Sequence, residues 1–119
     1  MASENKRLAA PASVDSLPTS GMQEDHVSMA WLAVRKLRKV VDNVRRILAV
    51  EYICAARAIE LRAPLEPSIA TGALVELLRA DVPGPGPDRY LAPELGAAER
   101  LLDSDAMAEA LVAVDVTLS

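Results

Sequence analysis

Phenylalanine is absent from this chain of 119 residues, and the other aromatics amount to one tryptophan and two tyrosines. A core must therefore be aliphatic, made of Leu, Val, Ile and Ala, a composition that suits helices packing on helices. There is one cysteine, Cys54, so no internal disulfide can form, and the absence of a secretory pattern leads us to expect a cytoplasmic protein. Excess positive charge is also missing: the formal net charge is -4, whereas a nucleic-acid binder needs a basic surface. No apolar run approaches the ~20 residues of a membrane span. With a single histidine, His26, and no carboxylate or histidine three or four positions ahead of it, the pattern for metal ligation on a helix is lacking. Gly84 and Gly86 alternate with prolines and are not followed by the Lys-Ser/Thr of a phosphate-cradling loop, which argues against nucleotide binding.

What the chain does have is helical period. From about 24 to 62 it contains neither proline nor glycine. Ala30, Val34, Leu37, Val41, Val44 and Leu48 are spaced 4-3-4-3-4, the seam of a bundle or coiled coil, with Val40, Ile47 and Cys54 as a second stripe. On that spacing Cys54 is expected as a buried, structural thiol. A helix over 24–62 would span roughly 55–60 Å. A globule of this size has a radius of gyration of about 13–14 Å. The chain is therefore expected to need partner chains or further polypeptide beside it.

Around that rod the expected architecture is all-α. Residues 1–20, rich in Ala, Ser and Pro, read as an extended N-terminal arm and site loop, and 21–119 as a helical segment. Ser20 and Gln23 fit a capping box, which would start the long helix near Gly21 and put Glu24 and Asp25 in its first turn. Pro64 and Pro67 should stop it. Ser68 can cap a helix over about 68–79 with Leu74, Leu77 and Leu78 on its buried side. Short helices follow over about 93–102, with Pro93 at the first position, and 105–114, capped by Ser104 or Asp103. Residues 112–118 have a faint strand character, and the last residues look frayed.

Residues 16–29 concentrate the polar chemistry. Glu24, Asp25 and His26 are adjacent titratable groups where loop gives way to helix. The bland account is a helix start stabilised by two acids, with His26 bonding locally. The sharper one is a carboxylate projecting into a pocket as acid, base or cation partner, and Glu24, at the loop junction, is the candidate. The cluster Arg35, Lys36, Arg38, Lys39, Arg45 and Arg46 reads as a solvated or inter-helix polar face, with Asp42 placed to pair with Arg38 or Arg46. A phosphate or nucleic-acid groove is the minor alternative, weakened by the acidic total and the lack of stacking aromatics. Met22 and Met29 read as packing residues, and Trp31 as an anchor for a helix contact.

The run Ser-Glu-Asn-Lys-Arg-Leu-Ala-Ala-Pro-Ala-Ser-Val-Asp-Ser-Leu-Pro-Thr-Ser (3–20), followed by Gln-Glu-Asp-His-Val-Ser-Met (23–29), resembles the histidine ammonia-lyase family. Asp-Arg-Tyr-Leu-Ala-Pro-Glu-Leu (88–95) resembles a later segment of the same family, and the likeness is to its C-terminal portion. The resemblance implies conversion of L-histidine to urocanate and ammonia. It implies a methylidene-imidazolone electrophile formed from an Ala-Ser-Gly tripeptide, and a homo-oligomer whose sites are shared between subunits around a helical bundle. It gives Glu24 the role of the carboxylate that contacts the substrate imidazole, where phenylalanine and tyrosine lyases carry an amide. Gln23 would line the same pocket, and Asp25 and His26 would orient or support. Gly21-Met22 departs from the Ala-Asn of many relatives, which bears on loop conformation. No Ala-Ser-Gly occurs in the chain, and Tyr52 and Tyr90 stand in no matching motif. The electrophile is thus expected in a missing N-terminal part or a partner chain, and the chain alone is expected to be inactive. Two alternatives remain open: a non-catalytic helical assembly module derived from this fold, or a fragment of a split aromatic amino acid lyase or aminomutase.

Overall fold

The computed structural model describes residues 1–14 and 16–116. Among the described residues five α-helices follow one another: α1 (Ala2–Leu8), α2 (Ala30–Glu60), α3 (Ile69–Asp81), α4 (Ala92–Leu102) and α5 (Ala106–Val112). Among the described residues there is no strand, only an isolated antiparallel bridge between Pro18 and His26. The all-α class and the single long helix are as expected. The chain divides into two compact units, Met1–Val44 and Arg45–Ser119.

In the first unit, residues 2–8 are helical where an extended arm was expected. Glu4 lies in the first turn of α1 and Lys6 and Arg7 in its last, the order the helix dipole favours. The helix is held by contacts that no periodicity reveals. Asn43, buried on α2, donates through Nδ2 to Glu4 Oε2 and Asn5 Oδ1, each at 2.8 Å. Lys39 Nζ lies 2.5 Å from Glu4 Oε1. These bonds, from Lys39 first and Asn43 second, hold the Glu4 carboxyl below its ordinary range.

The long helix starts at Ala30, nine residues later than the Gly21 start that the capping-box pattern suggests. Ser20, Gly21 and Met22 have φ of 56°, 62° and 71°, a left-handed run that no right-handed helix can include. Beyond it, Val27 N–H donates to the Leu17 carbonyl (3.2 Å), which draws the backbone into the Pro18–His26 bridge. Ser28 Oγ then accepts from Ala30 N–H at 3.4 Å, at the helix entry. Glu24 and Asp25 consequently precede the helix; its first turn contains no acidic residue.

The second unit contains the core. Ala49 and Ala56 from α2, Leu78 and Val82 from α3 and its end, and Ala97, Ala98 and Leu101 from α4 form one cluster, flanked by Tyr52, Ile53, Val75 and Leu77. Four of its seven members are alanines, which let helix backbones approach closely. Ser68 caps α3 as expected, its Oγ accepting from Thr71 N–H at 3.3 Å. Leu78 is fully buried; Leu74 and Leu77 are half-buried. In α4, Pro93 falls one position inside the start, and α5 follows Asp105, with Ser104 Oγ accepting from Ala106 N–H at 3.4 Å. Residues 112–115 are helix end and turn, not strand, and the remainder of the frayed tail expected at 115–119 lies, from 117 on, outside the described residues.

The seam of α2 is uncovered. Val34, Leu37, Val41, Val44 and Leu48 are 42–60% exposed, and Trp31 is 73% exposed. Cys54, expected to be buried, is exposed as well.

Candidate functional site

The polar motif lies on a closed turn. Thr19 is its base: its carbonyl accepts from Met22 N–H at 3.2 Å and from Glu24 N–H at 3.3 Å. The Ser20 carbonyl accepts from Gln23 N–H at 3.2 Å. Below the turn the two limbs are tied by the Val27–Leu17 bond and by Ser16 Oγ, which donates to the Val27 carbonyl at 2.9 Å. Backbone in the left-handed region is uncommon for Ser and Met and persists where the surroundings over-determine it; here four backbone bonds do so. Loops of this kind, rigid and polar at the mouth of a helix, are where binding groups are commonly carried.

Gln23, Glu24, Asp25 and His26 all stand on this turn and all are exposed. The turn presents the four in sequence, freed from the 100° rotation per residue that a helix would impose. Glu24 is fixed at its tip: Thr19 Oγ1 donates to Oε2 at 3.0 Å, leaving Oε1 available. His26 is tied through its backbone to Pro18. An open hollow of about 420 Å³ lies beside the limbs, lined by Ala12, Ser13, Ser16, Val27, Ser28, Met29, Ala30 and Ala33. Glu24 is not among its walls. Within this chain, then, the motif is displayed rather than enclosed. Among the described residues no three or more His, Cys, Asp or Glu gather as a metal site, and no buried side-chain nitrogen or oxygen lacks a partner.

Four of the six basic residues on α2 are engaged with this chain's own groups. Lys39 meets Glu4, Lys36 Nζ donates to the Ala10 carbonyl, Arg45 pairs with Asp103, and Arg46 Nε lies 3.8 Å from Glu99 Oε1. A polar inter-helix face accounts for them.

The second constellation, in the Arg45–Ser119 unit, was not legible as such. Arg79 grips Glu60 with both fork nitrogens, Nε to Oε1 at 2.6 Å and Nη2 to Oε2 at 2.7 Å. Its Nη1 donates to the carbonyls of Val82 (3.3 Å) and Pro83 (3.2 Å). Arg89 grips Glu94 likewise, at 2.5 and 3.1 Å, and donates to the carbonyls of Pro83 (3.1 Å) and Gly84 (3.0 Å). Two guanidinium groups thus converge on the Pro83 carbonyl and clamp the entry of the 83–87 loop. The arginine bonds hold the carboxyls of Glu60 and Glu94 below their ordinary range. Arg89 and Glu94 belong to the 88–95 motif, so this part of the motif works as a structural lock. Tyr52 donates to the Leu74 carbonyl, and burial pushes its phenol up.

Comparison with known proteins agrees with these features. The profile of the family described as aromatic amino acid lyase matches residues 1–80. Histidine ammonia-lyase of Streptomyces griseus is 62% identical over 102 residues, covering 83% of this chain and 20% of that protein. The Vibrio cholerae enzyme of the same name is 55% identical over 102 residues, covering 86% of this chain and 20% of that protein. The crystal structure of histidine ammonia-lyase from Trypanosoma cruzi superposes with a TM-score of 0.86 at 39% identity, covering 93% of this chain and 22% of that one. A tyrosine aminomutase from Streptomyces globisporus gives 0.83 at 33% identity, over 98% and 22%. The chain spans about a fifth of the length of the relatives it matches. A helical chain that displays its polar motif on a closed turn, and that aligns with these lyases over most of its length, belongs to the aromatic amino acid lyase family.

Proposed function

We propose that this chain is the C-terminal part of a histidine ammonia-lyase acting on L-histidine to give urocanate and ammonia, and that Glu24 is its substrate-contacting carboxylate. The observation that carries the assignment is the placement of Glu24: across the base of a braced turn from Thr19, exposed, with one carboxylate oxygen held and the other open. A carboxylate accepts a hydrogen bond from an imidazole N–H and pairs with imidazolium, and it has no comparable bond for a phenyl ring. In the reaction a C–N bond and a Cβ–H bond break and an alkene forms; this chain's share is to hold and orient the ring while that happens. Gln23, adjacent on the turn, lines the same pocket, and Asp25 and His26 support it.

The residues present do not fit the family electrophile, since no Ala-Ser-Gly tripeptide occurs among them. In this reading the methylidene-imidazolone would be supplied by further polypeptide. The uncovered seam of α2 supports assembly with further copies or with that remainder, in a cytoplasmic enzyme. The test is urocanate absorbance in the ultraviolet. The chain alone should give no signal with histidine. Combined with a lyase portion carrying Ala-Ser-Gly it should give one, and Glu24→Gln should reduce kcat/KM for histidine by about 10²-fold, on the scale of a lost charge-assisted contact to substrate. Undiminished turnover in Glu24→Gln refutes the assignment. The likeness to a tyrosine aminomutase favours one second reading, an aromatic amino acid substrate; it predicts release of coumarate from tyrosine by the same complex.

A further inference from the structure

We propose that Thr19 is a positioning residue for Glu24, setting the direction in which the carboxylate is offered to an N–H-bearing ring; this rests on the assignment of Glu24 above. Thr19 holds Glu24 at both ends. Its carbonyl accepts the Glu24 N–H (3.3 Å), and its hydroxyl donates to Glu24 Oε2 (3.0 Å). The span from backbone to carboxylate is therefore closed into a ring by one residue. The same carbonyl also accepts Met22 N–H at 3.2 Å, so the base of the ring is bonded to the strained turn.

Chemistry at each atom points the same way. A threonine has few χ1 choices, and with its carbonyl engaged twice the hydroxyl is presented from a fixed place. A glutamate has three rotatable bonds and, exposed as Glu24 is, would otherwise spread over many rotamers. The hydroxyl occupies lone-pair capacity on Oε2 only, and Oε1 stays open to a second donor. A ring N–H that meets Oε1 then finds an acceptor already aligned, and the ordering of the side chain precedes substrate. The effect is selective: a ring with no N–H gains nothing from alignment. Valine at position 19 keeps the shape and the carbonyl bonds and removes only the hydroxyl; serine keeps the hydroxyl.

The experiment uses a complete enzyme: the Streptomyces griseus lyase with its matching C-terminal segment replaced by this chain. Thr19→Val should lower kcat/KM for histidine about tenfold, and Thr19→Ser should stay within about threefold of the parent. In a Glu24→Ala background, adding Thr19→Val should change kcat/KM by less than about twofold, because the group through which it acts is gone. If Glu24→Ala collapses turnover and Thr19→Val does not, the Thr19 role fails while the Glu24 assignment stands. If Thr19→Val does equal harm in both backgrounds, it shapes the turn and the proposal is wrong. If Glu24→Ala itself leaves turnover intact, both fall. A readout free of catalysis is the pair of Hα–Hβ couplings of Glu24 in the 119-residue chain. They should be unequal in the parent and averaged in Thr19→Val; averaged couplings in the parent overturn the proposal even if the replaced enzyme is inert.

Discussion

Arg79→Met should destabilise this chain by about 2–3 kcal/mol. Arg79 is 17% exposed and makes four bonds: two to Glu60, itself 27% exposed, and two to the carbonyls of Val82 and Pro83. The Glu60 pair is charge-assisted and bidentate, worth about 1.5–3 kcal/mol for a partly buried carboxylate. Methionine fills much of the same volume, so little is lost in packing, but it strands the carboxylate and the carbonyl of Val82, a fully buried residue. Glu60 retains enough water contact to limit the penalty below the 3–5 kcal/mol typical of a broken, fully buried pair. Urea unfolding at neutral pH, followed by far-ultraviolet circular dichroism, should show a lowered midpoint at unchanged slope. In heat the midpoint should fall by about 8–12 °C, at roughly 4 °C per kcal/mol for this size. Arg79→Lys should recover less than half, because an ammonium cannot make the fork and reach both carbonyls. An Arg79→Met chain within about 0.5 kcal/mol of the parent, or an Arg79→Lys chain equal to it, would refute the clamp.

Met22→Asn should stabilise the chain by about 0.5–1 kcal/mol, since Met22 is 80% exposed at φ 71° and Asn tolerates that region better; an unchanged or lowered urea midpoint would count against it. Stability should also fall in acid. Glu4, Glu60 and Glu94 have folded values below the ordinary 4.5, so their contribution is complete above that value and is lost as pH falls through the lowered ones; a midpoint that stays level from about pH 7 to 3 would contradict this. Leu37→Asp with Leu48→Asp should weaken self-association at least about tenfold in sedimentation while helix content is kept, since both lie on the uncovered seam; unaltered sedimentation would show that the seam is not an interface.

Much of the fold was readable because its signals are local. A proline-free run at 4-3-4 spacing, two prolines ending it, a serine cap and a leucine face are properties of neighbouring residues, and α3, α4 and the body of α2 appear where they point. What escaped depends on distance along the chain. Asn43 looks like a polar interruption in an apolar helix; its use, the capture of Glu4 and Asn5, requires a partner 38–39 positions away. Arg79 and Glu60 are 19 apart for the same reason. The start of α2 was misplaced because a capping-box pattern and a left-handed turn draw on the same Ser and Gly residues. The bridge to Pro18 and the bonds to the Thr19 carbonyl decide between them. Cys54 was read from helix period, which places a residue on a face but does not say what covers the face.

That last distinction bears on the candidate site as well. A site built wholly from one chain closes its polar groups into a cavity of that chain. Here the four motif residues are exposed, yet the backbone of the turn is braced by four hydrogen bonds, and a strained conformation is kept at two non-glycine residues. The seam of α2 has the same character: regular, apolar and uncovered. Ordered geometry with no local beneficiary, in two places on one chain, is what a segment presents when its counterpart surfaces lie on other polypeptide. The local bracing of such a motif can be finished in advance, because the Thr19–Glu24 ring needs only six residues. A facing wall cannot, and Glu24 stands exposed on the turn, held by Thr19.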